Sequence, residues 1–276
     1  MKVYQAQRDV VLVSGDEAET YLQGQISQDV LGLAEGSSAW SFILQPQGKV
    51  DAWFRITRTG DDSFVLDVDA GFGEQLLARL KRFKLRTKAD LALETWDWHA
   101  FIADGDAPNI ALPEGSILAA SASGMGVDLI GAELPATDAD PIAADEYELF
   151  RIKAGIPAMG SELDDGTIPA EARIVERSVS FTKGCYTGQE LVARVDSRGD
   201  NTPRKLRVIS GAGHPVAGAM LTLDGNDAGA LTSVAFDGDG FAALAYIKRS
   251  ALDATELALA GESVSVSPVP HDVGAT

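Results

Sequence analysis

The sequence predicts an α+β fold, on three observations. Residues 50–57 alternate apolar and polar side chains, as in a strand with one buried face. The apolar positions 72, 76, 80 and 83 recur at the spacing of an amphipathic helix. After Lys205, short apolar runs alternate with Gly and Asp turns, which predicts a small antiparallel barrel with strands at 206–209, 219–223, 229–233, 241–247 and 264–266.

The remaining elements follow from the same periodicities. Strands are also predicted at 10–13, 39–44 and 64–68, and short strands with a variable surface are expected within 89–145. A short helix through Tyr21 should end at Gly24, and further helices should cover 72–83 and 147–154 and begin near Gly188. The first and last of these helices follow a capping-box spacing, Asp16 with Glu19 and Thr187 with Glu190.

Composition excludes several classes of protein. Hydrophobic residues make up 45% of the 276 residues, so a folded core is expected. One Cys excludes an intramolecular disulfide and a cluster held by four thiolates of one chain, and three scattered His predict no metal site. Lys2 is followed by Val-Tyr-Gln rather than an apolar run, and no window approaches the ~20 apolar residues of a membrane span. We therefore expect a cytoplasmic protein that does not bind membranes.

Charge is unevenly distributed along the chain. The net charge of −18 argues against direct binding of nucleic acid. Residues 89–150 contain thirteen acids and no Lys or Arg, whereas 49–88 and 151–207 hold nineteen of the 23 cations. If these two segments meet, they form a positive cleft that suits an anion. The alternative is that the cations are solvated surface.

Residues 183–190, Lys-Gly-Cys-Tyr-Thr-Gly-Gln-Glu, form the chemically richest stretch. They combine an ammonium, the only thiol, a phenol, an amide and a carboxylate with two glycines, which permit left-handed backbone or close approach of a ligand. A helix that begins near Gly188 would leave Lys183 and Cys185 beside its free N-terminal amides. Such a place is electropositive and suits an anion or a thiolate.

Together with Phe181 and the Val-Ala-Arg at 192–194, this signature stretch resembles the signature of the YgfZ family, folate-binding relatives of the glycine-cleavage aminomethyltransferase. The resemblance extends to 21–30 and 44–56 and, weakly, to 89–145. It implies two intertwined α/β subdomains around a central folate cavity within 1–203, approximately 1–90 with 145–203 and 91–144, followed by an antiparallel β-barrel at 204–270. Residues 271–276 are expected to be a disordered tail.

The resemblance also implies a function. Tetrahydrofolate or a folate derivative would be the cofactor, and the role would lie in assembly or repair of iron–sulfur proteins and, through them, in tRNA modification. Iron–sulfur client proteins would be transient partners of a monomer. Two alternatives stay open: a folate-dependent one-carbon transferase, and a non-enzymatic folate sensor or scaffold.

Several residues outside the signature are candidates for the folate cavity. Gln23, Gln25 and Asp29 carry amides and a carboxylate that can pair with a pterin edge; a polar helix end and turn is the alternative. Asp51, Trp53 and Arg55 share one face of their strand, and we expect that face to line the cavity. The alternative is an exposed face with Trp53 packed on a neighbouring loop.

Two further candidates follow the acidic region. Tyr147 falls where the family often has an aromatic residue near the folate, and a core position is the alternative. Glu171 belongs to an Ile-Pro-Ala-Glu run that resembles the family's segment before the signature, with Ala in place of Gln. It is a candidate for the aminopyrimidine edge of a pterin, or else pairs with Arg173 or Arg177 on the surface.

The signature supplies the candidate catalytic residues, Cys185 and Lys183. Cys185 is expected to act as a thiolate nucleophile, an iron ligand beside those of a partner, or a redox-sensitive thiol. Lys183 is expected to anchor a folate carboxylate or orient the thiol. Tyr186, Gln189 and Arg194 are predicted to bind the cofactor, with an ion pair to Glu190 as the alternative for Arg194.

The sequence departs from the aminomethyltransferases at one hairpin. Those enzymes carry a Gly-Gly…Asp-Asp pattern with a catalytic aspartate, whereas this chain has Gly-Lys-Val-Asp-Ala at 48–52. The pair of aspartates is absent, and a slip of one residue on a strand reverses the face of its side chain. Aminomethyl transfer is therefore not the activity that we expect.

Overall fold

A large sheet and a closed barrel make up the computed structural model, which describes residues 1–103, 110–198 and 201–270. The predicted fold class is confirmed as a mixture of α and β structure with a six-stranded antiparallel barrel at its C-terminal end. The tail predicted at 271–276 lies outside the described residues.

The large sheet contains eight strands. They are β1 (Lys2–Ser14), β2 (Ser38–Leu44), β3 (Val50–Gly60), β4 (Ser63–Val68), β5 (Asp90–Ile102), β6 (Ile117–Ala120), β7 (Gly126–Gly131) and β8 (Asp140–Pro141). Their order is β2-β3-β4-β1-β5-β7-β6, and β8 pairs with the start of β1. Because β1 and β5 pair along thirteen residues, 1–90 and 91–144 contribute to one sheet. The division into two subdomains stays a prediction.

Five α-helices cover or connect the sheet within the described ranges: α1 (Ala18–Gln25), α2 (Gly73–Lys84), α3 (Ala144–Lys153), α4 (Val175–Ser178) and α5 (Gln189–Ser197). α1 ends one residue later than predicted, because Ile26 N still donates to Leu22 O. Neither predicted capping box forms its side-chain hydrogen bond. Glu19 pairs with Arg58 instead, and Glu190 pairs with Arg194.

The two faces of the large sheet differ in chemistry. One face packs against α1 and α2 around the fully buried Phe54, Leu66 and Leu80. The opposite face carries buried ion pairs, in which Asp67 bridges Arg8 and Arg55. Apolar and charged residues alternate along β3 and β4, so each strand contributes to both faces.

The barrel contains β9 (Arg204–Ala212), β10 (Met220–Leu223), β11 (Asn226–Asp237), β12 (Gly240–Lys248), β13 (Glu256–Leu259) and β14 (Glu262–Pro268), and pairing of β10 with β13 closes it. β13 was not predicted from the sequence, because only two of its four residues are buried. Ile152 of α3 packs on Leu206 and Leu244, and the buried Glu162 accepts hydrogen bonds from Thr232 and Ser233. These contacts fix the barrel to the sheet. No helix in the described ranges has the length and apolarity needed to cross a bilayer.

Candidate functional site

The signature loop, residues 183–188, is held against the segment that follows α1. Ser180 N donates to Ser27 O at 3.0 Å. The Lys183 ammonium donates to the carbonyl oxygens of Ile26 at 2.7 Å and Gln28 at 2.8 Å. The two sequence motifs that carry the family resemblance are therefore adjacent in space, although about 150 residues separate them along the chain.

Lys183 is a buried cation. Its side chain is only 9% exposed, and its ammonium lies 5.2 Å from the centre of the Tyr186 ring. Burial lowers the pKa of Lys183 to about 8, an effect that the nearby Asp29 carboxylate opposes. The contacts of Lys183 fit the predicted role of orienting the thiol loop. Its contact with a folate carboxylate stays a prediction.

Cys185 lies at the exposed tip of the signature loop. It is a free thiol, with exposed Gly184 on one side and buried Tyr186 on the other. Lys183 and Tyr186 are both buried, so the backbone that carries the thiol is fixed on both sides while the sulfur faces solvent. A partner protein can therefore reach the thiol without opening the fold.

Two glycines bring the start of α5 against the hairpin after β2. Gly188 has φ 83°, and a Cβ there would lie 2.6 Å from Gln45 O. Gly48 has φ 80°, and a Cβ there would lie 2.5 Å from Leu191 Cβ. Both positions need glycine for conformation and for space. The glycine at 188 in the signature is thus explained by backbone contact.

A pocket of about 220 Å³ lies beside α5. Its lining includes the apolar side chains of Ile174, Phe181, Val192 and Val195, together with Arg173 and Arg177. The volume is below the ~300–1,000 Å³ common for drug-sized ligands, so the pocket suits a ring system rather than a whole folate molecule. Cys185 follows Phe181 by four residues, which places the thiol near the pocket along the chain.

Arg177 gives this pocket an unused hydrogen-bond donor. Its Nη1 donates to Ala122 O at 3.0 Å, whereas Nε and Nη2 are buried without a partner among the described residues. Burial lowers the pKa of Arg177 to about 10. A buried polar atom without a partner costs free energy, so this guanidinium is suited to a ligand with acceptor atoms. The Gln25 Oε1 and Tyr186 Oη atoms are likewise buried and unpartnered in the described part of the chain.

The positive cleft predicted between the two cation-rich segments stays a prediction. The two cation-rich segments do meet, since Val50 N donates to Thr167 O and Trp53 Nε1 donates to Ser178 Oγ. Most of their buried arginines, however, pair with carboxylates: Arg55 with Asp67 and Asp128, Arg79 with Asp51, Arg151 with Glu148 and Glu162. Desolvation makes an unpaired buried charge costly, so the fold neutralises these cations. The pocket itself combines its two arginines with Glu176 and Asp196.

The three candidates on β3 are engaged with the protein itself. Trp53 stacks on Trp40 with ring centres 4.2 Å apart, and Arg55 is 1% exposed within its ion pairs. Asp51 accepts from Arg79 Nε at 3.0 Å. Trp53 packs against Ser178, which resembles the alternative of an exposed face with Trp53 packed on a neighbouring loop. The face is buried, however, and not exposed. A folate contact for Asp51, Trp53 and Arg55 stays a prediction.

The amide candidates after α1 are partly engaged. Gln23 Nε2 donates to Asp29 Oδ1 at 2.9 Å, and Gln23 Oε1 accepts from Val30 N at 2.8 Å. These bonds shape the turn on which Lys183 is anchored. Gln25 Oε1 is buried and has no hydrogen-bond partner among the described residues.

The other candidates make contacts within the protein. Tyr147 stacks on Tyr4 at 4.5 Å, which makes it part of an aromatic cluster. Glu171 is 3% exposed and accepts from Arg204 Nε of the barrel, so the surface position given as its alternative is wrong. Arg194 is exposed and pairs with Glu190 at 2.7 Å, and Gln189 is the half-buried first residue of α5. Sequence reasoning did not select Arg177 as a candidate, because only the fold reveals which arginines lack a carboxylate.

Comparison with known proteins connects this geometry to a family. A scan against models of protein families finds no match. An uncharacterized protein of Haemophilus influenzae is 32% identical over 205 residues, which cover 71% of this chain and 68% of that protein. The iron–sulfur cluster assembly factor IBA57 homologue of Neurospora crassa is 30% identical over 220 residues, 70% of this chain and 49% of that protein. The tRNA-modifying protein YgfZ of Vibrio vulnificus is 27% identical over 309 residues, 96% of this chain and 90% of that protein.

The chain belongs to the YgfZ/IBA57 family. It spans about half of the length of the fungal IBA57 relatives, 49% and 53% in two of them. The crystal structure of the glycine cleavage system aminomethyltransferase T from Bartonella henselae has the same fold, with a TM-score of 0.79 over 98% of this chain and 86% of that one. At 18% identity, that likeness extends to the fold alone.

Proposed function

We propose that this YgfZ/IBA57 family member binds a reduced folate beside its signature loop and supports assembly or repair of iron–sulfur proteins. Modification of tRNA would depend on those proteins. Two relatives support the proposal, since one is named an iron–sulfur cluster assembly factor and another a tRNA-modifying protein. The proposal includes a cytoplasmic location and transient contacts between a monomer and its iron–sulfur clients.

One observation carries the proposal. The loop that carries the exposed thiol of Cys185 is anchored by a buried lysine. It connects Phe181 to Val192, and both of these line a pocket in which Arg177 has two donor nitrogens without a partner among the described residues. The apolar walls suit a flat ring, and the Arg177 fork suits acceptor atoms on that ring or on a carboxylate. The residues present therefore fit the ring system of a folate. When bound, a reduced folate supplies one-carbon chemistry.

The residues of the chain have separate roles. Lys183 holds the loop on two backbone carbonyls, which fixes the approach of Cys185. Tyr186 fills the space below the ammonium and presents a buried hydroxyl. Arg177 offers donors in the lining of the pocket. Cys185 is left to meet the client, as a nucleophile or as an iron ligand beside the client's own.

Substitution of the thiol tests this function. Cys185→Ser is expected to abolish support of iron–sulfur enzymes in a bacterial strain that lacks its own family member. Because the side chain is exposed, the melting temperature and tetrahydrofolate affinity should stay at wild-type values. Thr182→Ser, a change at the exposed residue just before the loop, serves as the matched control and should complement fully. Full complementation by Cys185→Ser would exclude a role for the thiol and favour the folate sensor.

A further inference from the structure

Residues 81–88 form a segment that we call the cationic tip, at the end of α2. It contains five cations and no acid: Lys81, Arg82, Lys84, Arg86 and Lys88. Four of the five are exposed and Lys84 is half-buried. None of them forms an ion pair with a residue in the described ranges, unlike Arg79 one turn earlier, which pairs with Asp51. The tip is thus a concentrated positive charge on an acidic protein.

Leu85 lies in the middle of these cations. It is 89% exposed, more than any other large hydrophobic residue in the described part of the chain. Its backbone has φ 48° and ψ −115°, and Thr87 N donates to Lys84 O at 2.9 Å. These are the features of a type II′ turn with Leu85 at its first central position, where glycine is preferred. A leucine there costs roughly 1–3 kcal/mol of strain.

The tip is held firmly at its base. Lys88 N donates to Glu17 Oε2 at 2.7 Å, and Glu17 N donates to Lys88 O at 3.2 Å. The Tyr21 hydroxyl donates to Leu80 O. The unfavourable turn is therefore supported on both sides and not relaxed. The strained backbone and the exposed side chain of Leu85 both destabilise the isolated chain. This combination points to a contact between Leu85 and another molecule.

We propose that the cationic tip is a docking surface for an acidic face of another protein, with Leu85 entering an apolar socket in that face. An apolar centre within a charged rim is the usual anatomy of a protein–protein contact. The whole chain has a net charge of −18, so the residues outside the five cations of the tip carry −23. An anionic membrane or a nucleic acid extends past the tip and would be repelled by that charge. A compact partner that contacts only the tip is therefore favoured.

α2, the helix that ends in the tip, contacts the hairpin on which the end of the signature loop packs. Arg79 Nη2 donates to Leu44 O at 2.9 Å, and the hairpin that follows Leu44 packs on Gly188. That the docked partner is the client of Cys185 rests on the proposed function; the docking itself does not.

Fluorescence anisotropy with defined probes tests the docking. The probe is a labelled helical peptide rich in Glu, with Leu at positions i and i+4. Three comparison probes are also negatively charged. They are the same peptide with Ser for Leu, a single-stranded oligonucleotide of equal charge, and vesicles that contain phosphatidylserine. We expect the Glu/Leu peptide to bind most tightly, and its binding to weaken as salt is raised.

Two variants locate the contact on the tip. Leu85→Gly should weaken binding of the Glu/Leu peptide at least tenfold without lowering the melting temperature, because glycine relieves the turn. Arg82→Glu/Arg86→Glu should weaken it at least tenfold as well. Leu112→Gly, at another exposed leucine, and Lys248→Glu/Arg249→Glu, on the barrel, are the controls and should bind as the wild type does.

The outcomes separate docking from the proposed function. Binding that is absent, that is equal for the Ser peptide, oligonucleotide or vesicles, or that survives Leu85→Gly would overturn the docking surface. Cys185→Ser should bind the peptide normally, so failure of the iron–sulfur role would leave this result intact.

Discussion

The fold buries the ammonium of Lys183 and thereby lowers its pKa. Its ammonium is withdrawn from solvent to join two backbone carbonyls, at the cost of a lowered pKa. The sequence predicted that this residue and Cys185 would act as a pair on one loop. It could not predict that one would be buried and the other exposed, because that depends on Ile26 and Gln28, which lie far away in the sequence.

The burial of Lys183 predicts an unusual dependence of stability on pH. Its folded pKa of about 8 lies below the ordinary 10.5, so between these values the unfolded chain binds more protons and stability rises with pH. The wild-type free energy of unfolding, minus that of Lys183→Met, should increase by roughly 2 kcal/mol from pH 8 to pH 10. Urea unfolding at several pH values measures this difference. A difference that stays flat over that range would contradict the burial of the ammonium.

The sequence does not reveal which arginines pair with carboxylates. In the sequence alone, Arg55, Arg79 and Arg177 cannot be told apart. Arg55 and Arg79 form ion pairs with carboxylates, whereas Arg177 forms none with a described residue. Their partners are set by strand register and helix packing. The distribution of cations along the sequence therefore does not decide the charge of the cleft, and Arg177 emerged as a candidate only from the three-dimensional arrangement.

At the scale of elements, the joint between α5 and the hairpin after β2 fixes the signature loop. Gly188→Ala forces a left-handed residue to carry a Cβ 2.6 Å from Gln45 O. It should reduce the free energy of unfolding by roughly 1–3 kcal/mol or more, since conformation and space are both violated. Urea unfolding measures the loss.

Gly184 is the matched control for this joint. It has no positive φ, and a Cβ there would meet nothing within 4 Å. Gly184→Ala should therefore leave stability within about 0.5 kcal/mol of the wild type. Equal losses in the two variants would show that the contact between Gly188 and the hairpin does not stabilise the loop.

Elements with strong periodicity were predicted well, and mixed ones were not. Alternation located β3, and the 3.6-residue period located α2 to within about a residue. The continuous strand β5 was not predicted, and only short strands were expected in its region, because polar residues such as Glu94 and Asp97 interrupt its apolar pattern. Those residues lie on a strand whose register is set by pairing with β1 along its full length, which no local pattern reveals.

At the scale of the whole molecule, the fold joins three units at one site. The segment between α1 and β2 anchors Lys183, and the turn before α5 carries the thiol. The chain just after the last strand of the barrel lines the pocket through Val269. The α+β class followed from the sequence alone. The family resemblance, rather than periodicity, supplied the expectation of a cavity between the units.

The central claim is that the pocket beside the signature loop binds a reduced folate through Arg177. Calorimetric titration of tetrahydrofolate into the wild type and Arg177→Met tests it most directly, with Arg198→Met as an exposed control nearby. We predict one site per chain in the wild type, binding at least tenfold weaker in Arg177→Met, and binding unchanged in Arg198→Met. Absence of binding to the wild type, or equal affinity in Arg177→Met, would contradict the account.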